Sequence, residues 1–147
     1  MNKEVEEEIK KLIEEKGLDC SIEEFIDNLC GTNWEYISSY HKLSENFIKE
    51  FKDKVDWGYI SRFQKLSENF VREFKDKVNW ECISEYQKLS EDFYKEFKDK
   101  ININYLKKNK NIDVDIEKIT TIKVIFKDSG KKEKTINNRF EILDIRG

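Results

Sequence analysis

The chain has 147 residues, of which 40% are charged and 13% aromatic, with a net charge of -3 and no proline. That length can bury a core, and a disordered charged chain would lack the aromatics, so a folded domain is expected. Three cysteines, a single histidine and 5 glycines, none in metal-ligand or phosphate-loop spacing, exclude an argued zinc site or nucleotide cradle.

Charge is unevenly spread. Residues 1–30 are net -6, residues 31–105 net -1 and residues 106–147 net +4. Lysine outnumbers arginine 24 to 4, and with abundant Ile and Asn this bias points to an AT-rich genome. The opening residues hold no apolar run, so neither a signal peptide nor a membrane span is expected. Cys20, Cys30 and Cys82 then read as small thiols in a reducing cytoplasm.

In chain order, residues 3–16 read as a helix with Val5, Ile9, Leu12 and Ile13 on one face, ended by Gly17. Ser21 opens a second helix, with Glu24 completing a capping box and Ile22, Phe25, Ile26 and Leu29 as its apolar stripe. Gly31 stops it. Ser21, Phe25, Ile26, Leu29 and Trp34 parallel Ser44, Phe47, Ile48, Phe51 and Trp57, so residues 1–33 read as a worn N-terminal cap.

Residues 34–56, 57–79 and 80–102 are one 23-residue unit written three times, with about two-thirds of positions identical between successive copies. Each unit predicts two short helices. Helix A is capped by Asn33, Asp56 and Asn79 and runs through residues 34–42 in the first copy. It presents Trp34, Ile37 and Tyr40, then Trp57, Ile60 and Phe63, then Trp80, Ile83 and Tyr86. Helix B is capped by Ser44, Ser67 and Ser90 and presents Phe47, Phe51 and Val55 and their equivalents. Lys49 with Asp53 and Glu50 with Lys54 are spaced for i,i+4 ion pairs on a solvated face. Ile103 and Leu106 occupy the next Trp and Ile places, where the array fades.

From Lys107 a β-meander is expected. Ile112, Val114 and Ile116 alternate, residues 119–127 are rich in β-formers, residues 128–131 suit a hairpin turn, and residues 140–145 alternate again. The predicted class is therefore α+β, mainly α. Stacked helix-turn-helix repeats (34–106) lie between a helical cap (1–33) and a small C-terminal antiparallel β-sheet (107–147).

No catalytic constellation, metal site or cofactor site is found, and an enzyme is not expected. Gln64 and Gln87 replace His41 in the later copies, and Ser38, Ser61 and Ser84 have no adjacent base. Positions that vary between copies are the candidates for partner contact, with aromatics and arginine favoured: Tyr36, Ser39, Tyr59, Arg62, Glu85 and Tyr94. For nucleic acid the candidates are Lys107, Lys108, Lys110, Lys131, Lys132 and Lys134, and Lys42, Lys65 and Lys88 recur at one place.

The pattern Trp-x-x-Ile-Ser-x-x-Gln-x-Leu-Ser-Glu-x-Phe-x-x-Glu-Phe-x-Asp-Lys-Val resembles tandem repeats of giant DNA viruses and of some AT-rich bacterial and phage proteins. The resemblance covers residues 34–102; His41 departs from its Gln, and the third copy lacks the following Trp. It implies helical repeats and a viral or mobile-element origin, with no defined activity. The expectation is a non-enzymatic protein-binding module, extended to an anti-CRISPR-like inhibitor that occludes a host nuclease or defence complex in the cytoplasm. The alternatives are a nucleic-acid-binding accessory protein using the basic C-terminal segment, and a self-assembling structural repeat protein. Composition leaves the oligomeric state open.

Overall fold

The computed structural model describes residues 1–118. In chain order the helices are α1 (Lys3–Glu15), α2 (Ile22–Ile26), α3 (Trp34–Tyr40), α4 (Glu45–Glu50), α5 (Trp57–Phe63), α6 (Glu68–Glu73), α7 (Trp80–Tyr86), α8 (Glu91–Phe97) and α9 (Ile103–Leu106). Helices α3, α5, α7 and α9 stack successively into one row, and α1 packs on α2 and α4. None of the described helices is long and apolar enough to cross a membrane.

Helices of six or seven residues do not hold in water alone, so the stack must supply what propensity lacks. Each begins on a side-chain cap. Asn33, Asp56, Asn79 and Asn102 cap α3, α5, α7 and α9, and Ser44, Ser67 and Ser90 cap α4, α6 and α8. Ser21 and Glu24 form the reciprocal capping box on α2. Gly17 closes α1 in a left-handed conformation at φ 63°, while Leu18 N–H donates to the Ile13 carbonyl. The core runs through every unit: Ile37, Ile60 and Ile83 are fully buried, as are Phe47 and Phe93, and Phe70 is nearly so. Within each unit the Trp packs on two Phe rings, as in Trp80 with Phe93 at 6.3 Å and Phe97 at 5.1 Å.

Polar side chains stitch neighbouring units at the repeat period. The Ser38 hydroxyl donates to the Trp34 carbonyl (2.7 Å) and accepts from the Asp56 amide (3.0 Å), and Ser61 and Ser84 repeat both bonds one unit on. The Gln64 side chain accepts from Leu43 N–H (2.9 Å) and donates to the Ser38 and His41 carbonyls, while Gln87 does the same to Leu66, Ser61 and Gln64. Glu45 accepts from the amide and hydroxyl of Ser67, and Glu68 from those of Ser90. Glu8 of α1 does this for Ser44, so α1 takes the place of a preceding unit's second helix.

The first unit differs where it lacks a full predecessor. Trp57 and Trp80 donate their indole N–H to the Lys52 and Lys75 carbonyls, five residues back. The equivalent residue for Trp34 is Leu29, in the α2–α3 connection beyond the left-handed Asn28 (φ 63°). Trp34 Nε1 and His41 Nε2 are buried without a partner among the described residues.

Several expectations need correction. The α+β class with its antiparallel sheet does not hold: the described residues contain helices and no strand, with one isolated parallel bridge between Ser90 and Asp113. Residues 112–116 do not form the expected strand. Asp115 accepts from the Lys118 amide (3.0 Å) at the start of a helical turn, and Ile112 and Ile116, four apart, pack on the core. The remaining strands and turns expected over residues 119–147 lie outside the described residues. The array also runs on past unit three. Leu106 is fully buried on α9, and the Asn109 amide donates to the Ser84 and Gln87 carbonyls, taking the glutamine's part with a shorter side chain.

In place of the expected Lys49–Asp53 and Glu50–Lys54 pairs, these side chains and their equivalents pair mainly between units, although Lys95 keeps an i,i+4 pair with Glu91 inside α8. Lys49 reaches Glu73 (2.7 Å), Arg72 reaches Glu96 (2.8 Å) and Lys77 lies 3.6 Å from Asp53. Finally, Tyr40, Phe63 and Tyr86 are not core residues but lie exposed at the ends of α3, α5 and α7.

A candidate interaction surface on the helical array

The outer face of the α3–α5–α7 row carries exposed rings at the repeat period. Tyr36 and Tyr40 are 43% and 75% exposed, Tyr59 and Phe63 are 40% and 51%, and Tyr86 is 36%. Residues 36 and 40 are one helical turn apart, as are 59 and 63, so each pair shares a face. Ring centroids are 4.8 Å apart in Tyr36–Tyr40 and 6.0 Å apart in Tyr59–Phe63. In the third unit Cys82 replaces the first ring and is half-buried, which pushes its thiol up.

Cations lie on these rings. The Arg62 guanidinium sits 5.1 Å from the Phe63 ring and 5.0 Å from Tyr86, joining the second unit's aromatics to the third's. Lys16 Nζ is 4.0 Å above Tyr36, and Lys108 Nζ is 5.0 Å above Tyr105 on α9. Such contacts contribute about 0.5–1 kcal/mol each at exposed sites, enough to hold side chains in place but too little to explain why the rings are outside.

Beside the ridge, open valleys separate successive units at the ends of the first helices. The larger, about 830 Å³, is lined among others by Phe63, Lys65, Glu68, Tyr86 and Lys88. Its counterpart between α1 and the first unit, about 430 Å³, is lined by Glu8, Tyr40, His41 and Lys42. Glu8, Glu45 and Glu68 in these walls are already engaged with the serine caps. Lys42, Lys65 and Lys88 are exposed and form no ion pair among the described residues.

The sequence-selected candidates divide accordingly. Tyr36, Tyr59 and Arg62 lie on the ridge. Ser39 is half-buried beside it, its hydroxyl donating to the Glu35 and Tyr36 carbonyls, and Glu85 is half-buried at the equivalent place in α7. Tyr94 is elsewhere: it packs partly buried against the core, at the place held by the buried Ile48 and Val71, and burial pushes its phenol up. Lys107, Lys108 and Lys110 are exposed after α9, and Lys131, Lys132 and Lys134 lie outside the described residues. Sequence reasoning missed Tyr40, Phe63 and Tyr86 as surface residues.

His41 is held below its ordinary titration range, chiefly by burial and also by Lys16, with Glu15 at 3.7 Å opposing. No group of three or more His, Cys, Asp or Glu side chains among the described residues could hold a metal ion. Ser38, Ser61, Ser84, Gln64 and Gln87, buried between units, spend their side chains on backbone bonds. The arrangement therefore offers a shaped, ring-rich surface. Comparison with protein-family models, with curated proteins and with solved structures yields no match for the chain.

Proposed function

We propose that the protein is a non-enzymatic protein-binding module whose contact surface is the aromatic ridge of α3, α5 and α7. One observation carries this reading: rings that recur at the unit period point into solvent. Fully burying one large apolar side chain contributes about 1.5–3 kcal/mol, so leaving several outside forgoes substantial stabilisation unless a partner covers them. The fitting partner is a protein surface with an apolar strip for the rings and carboxylates to meet Lys42, Lys65 and Lys88. By its resemblance alone, the repeat extends the proposal to a phage- or virus-encoded inhibitor that works in the host cytoplasm by covering a nuclease or other defence complex.

The test compares the tagged chain with a Tyr40→Ser/Phe63→Ser variant in captures from a nuclease-treated bacterial lysate. Both substitutions are at exposed sites, so unfolding free energies should agree within about 0.5 kcal/mol. A stoichiometric protein partner held by the wild type and lost by the variant supports the reading. A partner held equally by both would end it.

The unpaired lysine row favours a second reading, a single-stranded nucleic-acid groove with Tyr40, Phe63 and Tyr86 as stacking platforms. It requires a steep fall of affinity with salt, weakened by removing Lys42, Lys65 and Lys88 together. Binding that ignores salt would reject it.

A further inference from the structure

We propose that Cys20 and Cys30 are a modification site, forming an intramolecular disulfide that closes the α2 segment of the N-terminal cap into a covalent loop. The Cys20 thiol donates to the Cys30 sulfur across 2.7 Å, although the two residues are ten apart in sequence. They stand on either side of α2, one just before its Ser21 cap and the other just after its end. The connection that brings Cys30 back includes Asn28 at φ 63°, and Gly31 at φ 78° follows it, so the return path is built into the backbone. Both cysteines are half-buried and within reach of a small reagent.

The segment between them matters to the array. Phe25, fully buried, meets the Trp34 ring edge-on at 6.1 Å, and the Thr32 hydroxyl donates to the Phe25 carbonyl (2.8 Å). Yet α2 is only five residues long, and its capping box is exposed. The α2 segment therefore rests on one fully buried ring, on Ile22 and Ile26 partly packed against the core and on a few bonds, and short segments of this kind open first. A covalent tie between Cys20 and Cys30 joins the two ends of that segment.

The chemistry is thiol–disulfide exchange with a low-molecular-weight disulfide such as glutathione disulfide. The Cys20 thiol keeps its proton, pushed up to about 11 by its hydrogen bond to Cys30 and by burial. The accepting Cys30 sulfur, after giving its proton to solvent, attacks the reagent, whose S–S bond breaks and releases one glutathione thiolate that takes up a proton. Cys20 then loses its proton to solvent and attacks the Cys30 sulfur of the mixed disulfide, expelling the second glutathione. Two electrons and two protons pass from the protein to the reagent, which leaves as two thiols. Cys82, on α7, has no cysteine partner among the described residues and serves as an internal control.

The experiment equilibrates the full-length chain in graded glutathione and glutathione disulfide, quenches with acid, alkylates free thiols and maps the products by mass spectrometry. Expected in oxidising buffer are a cross-linked Cys20–Cys30 peptide and alkylation at Cys82 alone. Cys82→Ser should give the same cross-link, and Cys20→Ser and Cys30→Ser should abolish it. Amide exchange across residues 21–29 should slow by roughly 100-fold in the oxidised protein, the loop-closure effect for a span of this length. Mixed glutathione adducts without the cross-link, a disulfide that includes Cys82, or unchanged exchange in the cross-linked protein would each overturn the proposal. It does not depend on the identity of any partner.

Discussion

Replacing Gln64 by Ala removes one rung of the amide ladder that joins the first and second units. Three backbone groups lose their partner at once: the Leu43 N–H at 2.9 Å, the Ser38 carbonyl at 2.8 Å and the His41 carbonyl at 2.7 Å. Gln64 is 4% exposed and Leu43 is 6%, so these groups do not face bulk water. A buried polar group left unsatisfied costs about 1–3 kcal/mol, which gives roughly 3–9 kcal/mol before any relief. The truncation also opens space next to a solvent-filled valley to which Gln64 contributes a wall, so entering water should recover part of it. The expected net loss is about 3 kcal/mol, or a midpoint lowered by about 10 °C for a chain of this size. The assay is urea and thermal unfolding followed by far-UV circular dichroism and tryptophan fluorescence at pH 7.5. Gln64→Glu keeps the shape but turns an acceptor toward two carbonyls, and should cost at least as much. His41→Gln, at the equivalent place without a preceding glutamine acceptor site, should stay within about 0.5 kcal/mol of wild type. A Gln64→Ala protein as stable as that control would show that the ladder is incidental to the stack.

The same histidine gives a pH signature. Its folded pKa lies below the ordinary 6.5, chiefly through burial, so the unfolded chain takes up the proton more readily. The contribution is fully present above pH 6.5 and is lost as pH falls through the lower folded value. Wild type should therefore lose stability relative to His41→Gln on acidification below pH 6.5, and parallel pH profiles for the two proteins would refute the assignment. Unit insertion is a further test: a second copy of residues 57–79 placed after Asn79 keeps each inter-unit bond at its repeat offset. Repeat arrays gain stability with each added interface, so the lengthened chain should unfold at a higher midpoint, and a lower one would mean that the units do not stack interchangeably.

Much of this fold is legible from residues. The Asn, Asp and Ser caps, the Ser21–Glu24 box and the Gly17 terminus follow from local chemistry, which needs no partner element. What failed was inference about faces. Trp34, Ile37 and Tyr40 are three apart, and each three-residue step falls about 60° short of a full turn. Two steps carry Tyr40 about 120° from Trp34, onto the side that Tyr36 occupies, so the helix geometry itself marks Tyr40, Phe63 and Tyr86 as ridge residues. The ion pairs were misplaced because i,i+4 spacing is visible in sequence while the distance between stacked units is not. Ile112 and Ile116 fit a strand's alternation and a helix's four-residue step equally, and Asp115 capping the turn decides between them. Cys20 and Cys30 gave no sign of their contact, because it depends on the path of the α2–α3 connection.

The ladder has a direction, and that direction separates structure from function in this chain. Each glutamine reaches back to the unit before it, so the first unit needs none and can hold His41, whereas the third needs a donor from beyond itself and finds Asn109. The carboxylate ladder runs the other way: Glu8, Glu45 and Glu68 each reach forward to a serine cap, and Glu91, with no fourth serine ahead, turns to Lys95 (2.8 Å). Stacking thus accounts for most inward and inter-unit positions being alike in every copy, the place of Ile48, Val71 and Tyr94 being an inward one that varies. Residues 35, 36 and 39 and their equivalents take no part in either ladder, and they differ between copies as Glu35, Gly58 and Glu81, as Tyr36, Tyr59 and Cys82, and as Ser39, Arg62 and Glu85. These varying places lie on the outer face of the row, where Arg62 ties Phe63 to Tyr86.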